Sequence, residues 1–184
     1  MENKRDVFAE VKELRIDCAK QQKKGLHFIL TSVIIWTIIL VAQLLPVSIM
    51  MKNMLTFCAS VPLCPIAFGI SKLIKVDFQG KSNPLTGLGI IFTINQMIYL
   101  LIAMWVFVES PGKLVMVYAM IFGAHLLPYG WLYLSKSYFV FAGVIPVLAL
   151  MLGLRYPAAV VAGVMVLVEV VFCMCLIREV KKLK

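Results

Sequence analysis

The chain has 184 residues, 62% of them hydrophobic and 15% charged, a composition that cannot supply the polar shell of a soluble domain this long. The apolar residues come in runs of about 20, enough helix to cross roughly 30 Å of hydrocarbon, and are apolar on every side, which excludes the alternating strands of a β-barrel. The net charge of +9 sits at the ends of these runs, so it argues for orientation in a bilayer and against nucleic-acid binding.

Residues 1–24 are the first element. Val7, Val11, Leu14 and Cys18 fall on one helical stripe, with Lys4, Arg5, Glu10, Lys12, Glu13 and Arg15 around it, and Lys20, Lys23 and Lys24 close the segment. This predicts a short N-terminal amphipathic helix at the cytoplasmic surface, held by anionic lipid or by a partner, with a solvated helix as the alternative. The segment lacks an early apolar core, so no cleavable leader is expected and the first apolar run stays as an anchor.

Residues 25–178 are read as an all-α, polytopic bundle of six transmembrane helices. The spans cover about 26–45, 54–74, 85–108, 113–134, 137–152 and 158–177, followed by a basic cytoplasmic tail, 179–184. With the N-terminus inside, seven Lys/Arg precede span one, and Lys72, Lys75 and Lys81 lie between spans two and three. Lys136 and the tail residues Arg178, Lys181, Lys182 and Lys184 are also inside, leaving Lys52, Lys113 and Arg155 outside. That asymmetry supports both the span count and an orientation with both termini in the cytoplasm (N-in/C-in) of a multi-pass membrane protein. Trp131, Tyr133 and Tyr138 at one interface and Trp105, Tyr118 and Tyr156 near the other agree with it. The outer loops are short, so function is expected in the bundle, the N-terminal arm or the inner loop from Val76 to Pro84.

The five cysteines form no CxxC and no zinc-type spacing with histidine, and read as small apolar packing groups. No nucleotide-binding, zincin or serine-hydrolase motif is present, so no metal, cofactor or catalytic residue is assigned. Intramembrane polar residues carry the interest instead. Glu169 lies near the middle of span six with no charge near it in sequence. An acid there costs about 2.5–3.5 kcal/mol on insertion scales and normally faces a partner or a water-filled cavity. It is read either as a proton or cation site or as a neutral acid bonded to a neighbouring helix.

His125 lies at the centre of span four, three residues before Pro128, whose missing N–H frees the Ala124 carbonyl beside the imidazole. Asn95 and Gln96 occupy the centre of span three, with Tyr99 one turn beyond Asn95. These residues and Glu169 fall at one depth, where they form one site, or one hydrogen-bond network, if their faces converge. Pro62, Pro65, Pro128 and Pro146 are expected to kink the helices around that level. Ala158/Ala162 and Ala159/Gly163 are small-residue pairs suited to close helix packing or to a dimer seam.

The run Lys75-Val-Asp-Phe-Gln-Gly-Lys-Ser-Asn-Pro-Leu, the segment Phe-Thr-Ile-Asn-Gln-Met-Ile-Tyr (92–99) and the segment 116–133 around Phe-Gly-Ala-His-Leu-Leu-Pro resemble a family of six-pass membrane proteins from Gram-positive bacteria, catalogued as a domain of unknown function. The resemblance covers most of the chain from about Lys23 onward. It implies a bacterial plasma membrane and no enzymatic role, and it carries over no functional residue. Three functions compete. A small transporter or permease, in a homo-oligomer, would use Glu169 and His125 as coupling groups. A non-transporting accessory protein (immunity, stress or sensor) would place specificity in the arm. A membrane-embedded lipid enzyme ranks last, because polar residues near the head groups are sparse.

Overall fold

The computed structural model describes residues 2–76 and 83–183, and for residues 2–6 the backbone alone. Most of the inner loop, with Asp77 and Lys81, lies outside the described residues, as do Lys184 and the side chains of Lys4 and Arg5. All regular elements among the described residues are helical: α1 (Glu2–Gln21), α2 (Leu26–Leu44), α3 (Ile49–Ser60), α4 (Leu63–Leu73), α5 (Leu85–Glu109), α6 (Leu114–Leu132), α7 (Lys136–Arg155) and α8 (Ala158–Lys181), with short 3-10 turns at Lys23–Gly25 and Pro111–Lys113.

Five segments, containing α2, α5, α6, α7 and α8, are long and apolar enough to cross a membrane. The stretch read from sequence as one span over 54–74 is a pair, α3 and α4, bent by 41°. The chemistry of the break is local. Pro62 has no N–H to continue the α3 ladder, and Pro65 sits in the first turn of α4, where an N–H would have no helical acceptor in any case. If the pair is one broken span, the count is six.

The tightest contacts are made by the α6–α7 hairpin and by α2 against α8. These four helices share one core, with Trp36, Ile39, Leu126, Ile145, Met165 and Phe172 all but inaccessible. Glycine sets the spacing of the hairpin. A Cβ on Gly123 would lie 2.6 Å from Pro146 Cδ, and one on Gly153 would lie 2.4 Å from Met116 Cγ. In the α2–α8 pair, a Cβ on Gly163 would meet Leu40 at 3.7 Å, so the small face of α8 is used inside the chain. The remaining helices are peripheral: α3 and α4 lean on α2, α5 leans on α6, and α4 and α5 scarcely touch.

The end of the bundle that carries α1 is tied shut. Asn83 donates to the Leu14 carbonyl and to Asp17 Oδ2, both at 2.8 Å, and the Arg15 guanidinium bonds the Trp131 carbonyl and sits 4.2 Å over its ring. Cys18 and Ala19 are thereby buried. Burial, with Asp17 alongside, pushes the Cys18 thiol up to about 11. Lys24 pairs with Glu179 at 2.7 Å, and Glu179 also accepts from both Ser135 and Ser137. Lysines close several helix C-termini as well. Lys23 donates to the Ile74 carbonyl, Lys52 to Gln43 at 2.8 Å and Lys113 to Gly153 at 2.7 Å, where cations meet the negative end of the helix dipole.

Candidate functional site

The loose packing of α3–α4 and α5 leaves a space against the tight core. Its main part is an apolar chamber of about 330 Å³ at the α3–α4 break, faced by Trp36, Phe57, Cys64, Met97 and Tyr118. Through Ser32, Leu63, Gln96 and Phe122 it shares walls with a smaller space of about 60 Å³ beside His125, Thr93, Tyr129 and Tyr138. A third space, of about 160 Å³, lies beyond Tyr129 and Tyr133 under Gln22 and Thr86. Among the described residues no Lys, Arg, Asp or Glu lines any of the three.

One face of α6 forms the back wall. Tyr118, Phe122, His125, Tyr129 and Tyr133 recur every three or four residues, the spacing that stacks side chains on one side of a helix. Ring centroids lie 5.3 Å apart for Phe122–His125, 5.8 Å for His125–Tyr129 and 5.9 Å for Tyr129–Tyr133. Trp36 meets Phe122 and Tyr118 edge to face at 6.1 and 6.3 Å, a favoured aromatic geometry.

Most polar groups of this wall are engaged by the protein. Tyr129 donates to the Gly89 carbonyl at 2.9 Å, with the Thr93 hydroxyl 2.8 Å away. Tyr133 donates to Gln22 at 2.6 Å, Tyr138 to the Lys24 carbonyl at 2.9 Å, and Tyr118 to Ser60. His125 Nδ1 bonds the Phe122 carbonyl. A carbonyl only accepts, so Nδ1 carries the proton in this contact and Nε2 is the ring's acceptor.

Glu169 stands behind this wall. Its side chain is fully buried between α8 and α2, Oε2 lies 2.5 Å from Ser32 Oγ, and Oε1 has no hydrogen-bond partner among the described residues. Ser32 Oγ also lies 2.8 Å from the Ile29 carbonyl. A serine has one proton for these two acceptors. A neutral acid satisfies both, donating to Ser32 while Ser32 donates to Ile29, whereas a carboxylate leaves one of them unmet.

The residues predicted from sequence therefore separate into three groups. Gln96 and His125 face the same space, from α5 and α6. Glu169 reaches that space only through Ser32, which lines it. Asn95 and Tyr99 lie on the exposed face of α5. Pro62 marks the break before α4 and Pro65 lies in its first turn, while Pro128 and Pro146 sit inside α6 and α7, which continue as helices to Leu132 and Arg155. Among the described residues no cluster of His, Cys, Asp or Glu could hold a metal. Sequence reasoning missed Ser32, Thr93 and Tyr129. The aromatic stripe on α6 was the signal that could have found Tyr129, since its spacing is written in the chain.

No curated protein and no solved structure is significantly similar to this chain. A family described as a family of unknown function (DUF7010) matches over residues 11–179. This chain's several long apolar helices are compatible with an integral membrane protein, and the chain belongs to that family.

Proposed function

We propose that the chain is a six-pass protein of the bacterial plasma membrane with both termini in the cytoplasm, and that it works as a small permease-like protein holding its cargo in the chamber. One observation carries the reading: the chamber lies where α3 breaks into α4. Irregular backbone at membrane depth is tolerated where it is buried in protein or lines a cavity, and discontinuous helices are a recurrent way to build transport sites. Gln96 supplies a polar group on the opposite wall, and His125 one in the smaller space that shares that wall.

The test is occupancy. Reconstituted in vesicles, the protein should bind a small neutral fluorophore such as N-phenyl-1-naphthylamine saturably. Cys64→Trp, which fills the chamber, should remove the saturable part while the helical circular dichroism is kept. Equal binding by both proteins would refute the reading. An accessory protein without cargo is the second reading, supported by the seal at the α1 end formed by the Tyr133–Gln22 bond and the Lys24–Glu179 pair. For that reading, deleting residues 1–20 abolishes function while the bundle stays folded.

Two partners belong to the proposal. Val7 and Phe8 of α1 are exposed and suit contact with anionic lipid at the cytoplasmic face. Ile91, Asn95, Ile98, Ile102 and Trp105 repeat at alternating steps of four and three residues on the exposed side of α5, the pattern of a helix–helix seam with one central amide. A second copy would meet this seam, Asn95 bonding Asn95. Asn95→Cys should then cross-link between copies in membranes and Gln96→Cys should not, in a background without other exposed cysteines. Equal cross-linking would remove the homo-oligomer from the account.

A further inference from the structure

Gln96, which lines both the chamber and the smaller space beside it, and His125, which lines the smaller space, differ from the other polar groups there. The hydroxyls of Tyr118, Tyr129, Tyr133 and Tyr138 all donate to protein acceptors. His125 has its Nδ1 proton turned to the Phe122 carbonyl, which leaves Nε2 as an acceptor. The Gln96 amide, across the same space, offers both a donor and an acceptor. A ligand that uses both residues needs a proton to give to Nε2 and an oxygen to take one from the amide. A hydroxyl group does both.

Charge and access narrow the class further. The described walls carry no Lys or Arg to meet an anionic head group and no Asp or Glu to meet a cation, so either would be buried bare against them. The remaining surface is aromatic and aliphatic, and α4 and α5, which bound the chamber on its open side, scarcely touch. Both present long apolar side chains to the outside, Phe68 and Leu73 on α4 and Ile90 and Ile94 on α5. In a bilayer this side faces acyl chains, not water.

We propose that the chamber takes a neutral amphiphile with a single hydroxyl group, a long-chain alcohol or hydroxyl-bearing lipid, that enters sideways from the bilayer between α4 and α5. Gln96 and His125 hold the hydroxyl in the smaller adjoining space, and the chain lies in the chamber against Trp36 and Phe57. The inference rests on the cargo-chamber reading above and adds the class of cargo and its route.

Trp36 lines the chamber and can report on it. With Trp105→Phe and Trp131→Phe in place it is the sole tryptophan of the reconstituted chain. The probes are 10,11-dibromoundecanol, its methyl ether and its sulfate ester, each titrated into the vesicles, with bromine quenching of Trp36 as readout. The alcohol should quench saturably, at a mole fraction roughly tenfold lower than the ether, about the worth of one or two net hydrogen bonds. The sulfate should show no saturable quenching. His125→Phe should erase the alcohol's advantage over the ether, and Gln96→Leu, which removes the donor that either oxygen can accept from, should weaken both probes alike; the two variants are made separately so that one misfolded variant does not decide the result. Equal saturable quenching by alcohol and ether overturns the hydroxyl assignment while sparing the cargo chamber. Preference for the sulfate overturns neutrality. An advantage that survives His125→Phe, or binding of both probes untouched by Gln96→Leu, overturns the roles of His125 and Gln96. The absence of saturable quenching by any probe overturns the inference and the chamber reading together.

Discussion

The α6–α7 hairpin and the α4–α5 side are both apolar, yet they pack in opposite ways. Over its span 44% of α6 is buried within the chain, against 11% of α5, although the two helices are comparably apolar. Hydrophobicity therefore does not decide which helices close up, because acyl chains solvate leucine as well as another helix does. Shape decides. The hairpin has Gly123 against Pro146 and Gly153 against Met116, where no Cβ fits, while a Cβ on Gly69 or Gly87 would meet nothing within 4 Å. The tight side has glycines where backbones cross, and the loose side has isoleucines that face outward. The chamber is what that difference leaves behind.

Substitutions can break the comparison, and the largest effect is expected at the glycine crossing. Gly123→Val should cost about 3 kcal/mol through overpacking against Pro146 and Ile145, read as the midpoint of reversible unfolding in mixed micelles. Gly87→Ala on α5 should be neutral or gain about 0.5–1 kcal/mol, as expected for a helical glycine in open space. Equal losses at the two sites would show that both sides are packed alike. A loss of about 3 kcal/mol, comparable to that at Gly123, is expected for Glu179→Ala, because it strands the buried Lys24 ammonium. Next comes the acid behind the wall. Glu169→Ala should cost about 2 kcal/mol by opening a buried hole and orphaning Ser32. Glu169→Gln, whose amide can still donate to Ser32, should stay within about 1 kcal/mol of the parent. A loss in Glu169→Gln as large as in Glu169→Ala would mean that the site needs a carboxylate.

Much of the coarse fold could be read from the chain. Runs of apolar residues of membrane-spanning length announce helices, and five of them are helices of that kind. The burial of Glu169 was also foreseeable, since an isolated acid in such a run must turn inward. Which neighbour it meets was not, because Ser32 is 137 residues away and hydroxyls in apolar helices usually bond their own backbone, as Thr31 bonds the His27 carbonyl. Asn95 and Gln96 show the limit most clearly. Successive helical residues point about 100° apart, so one faces the chamber and the other faces out, and a helix apolar on all sides carries no periodicity to say which. Lys24 shows a second limit. Counted by sequence it is one more basic residue at the membrane surface, but its ammonium is paired with Glu179 and it adopts a positive φ of 53°, beside Lys23 at 44° and Gly25 at 69°. Those two lysines are held in a conformation that glycine would take more readily, and the pairing across 155 positions leaves no local trace.

On this account the α4–α5 side opens the chamber to lipid while the α2–α8 side is closed. Cys64 of α4 is exposed and faces the chamber, and Cys173 of α8 is buried. Nitroxide labels on chains that keep only one of these cysteines, reconstituted in vesicles, report this directly through their collision rates with oxygen, which concentrates in hydrocarbon, and with a water-soluble nickel complex. The label at Cys64 should be mobile, with high oxygen and low nickel accessibility, and Cys173 should resist labelling or give an immobilised spectrum shielded from both. An immobilised, oxygen-shielded label at Cys64 would contradict the account, because the α4–α5 side would then be as tightly closed as the hairpin.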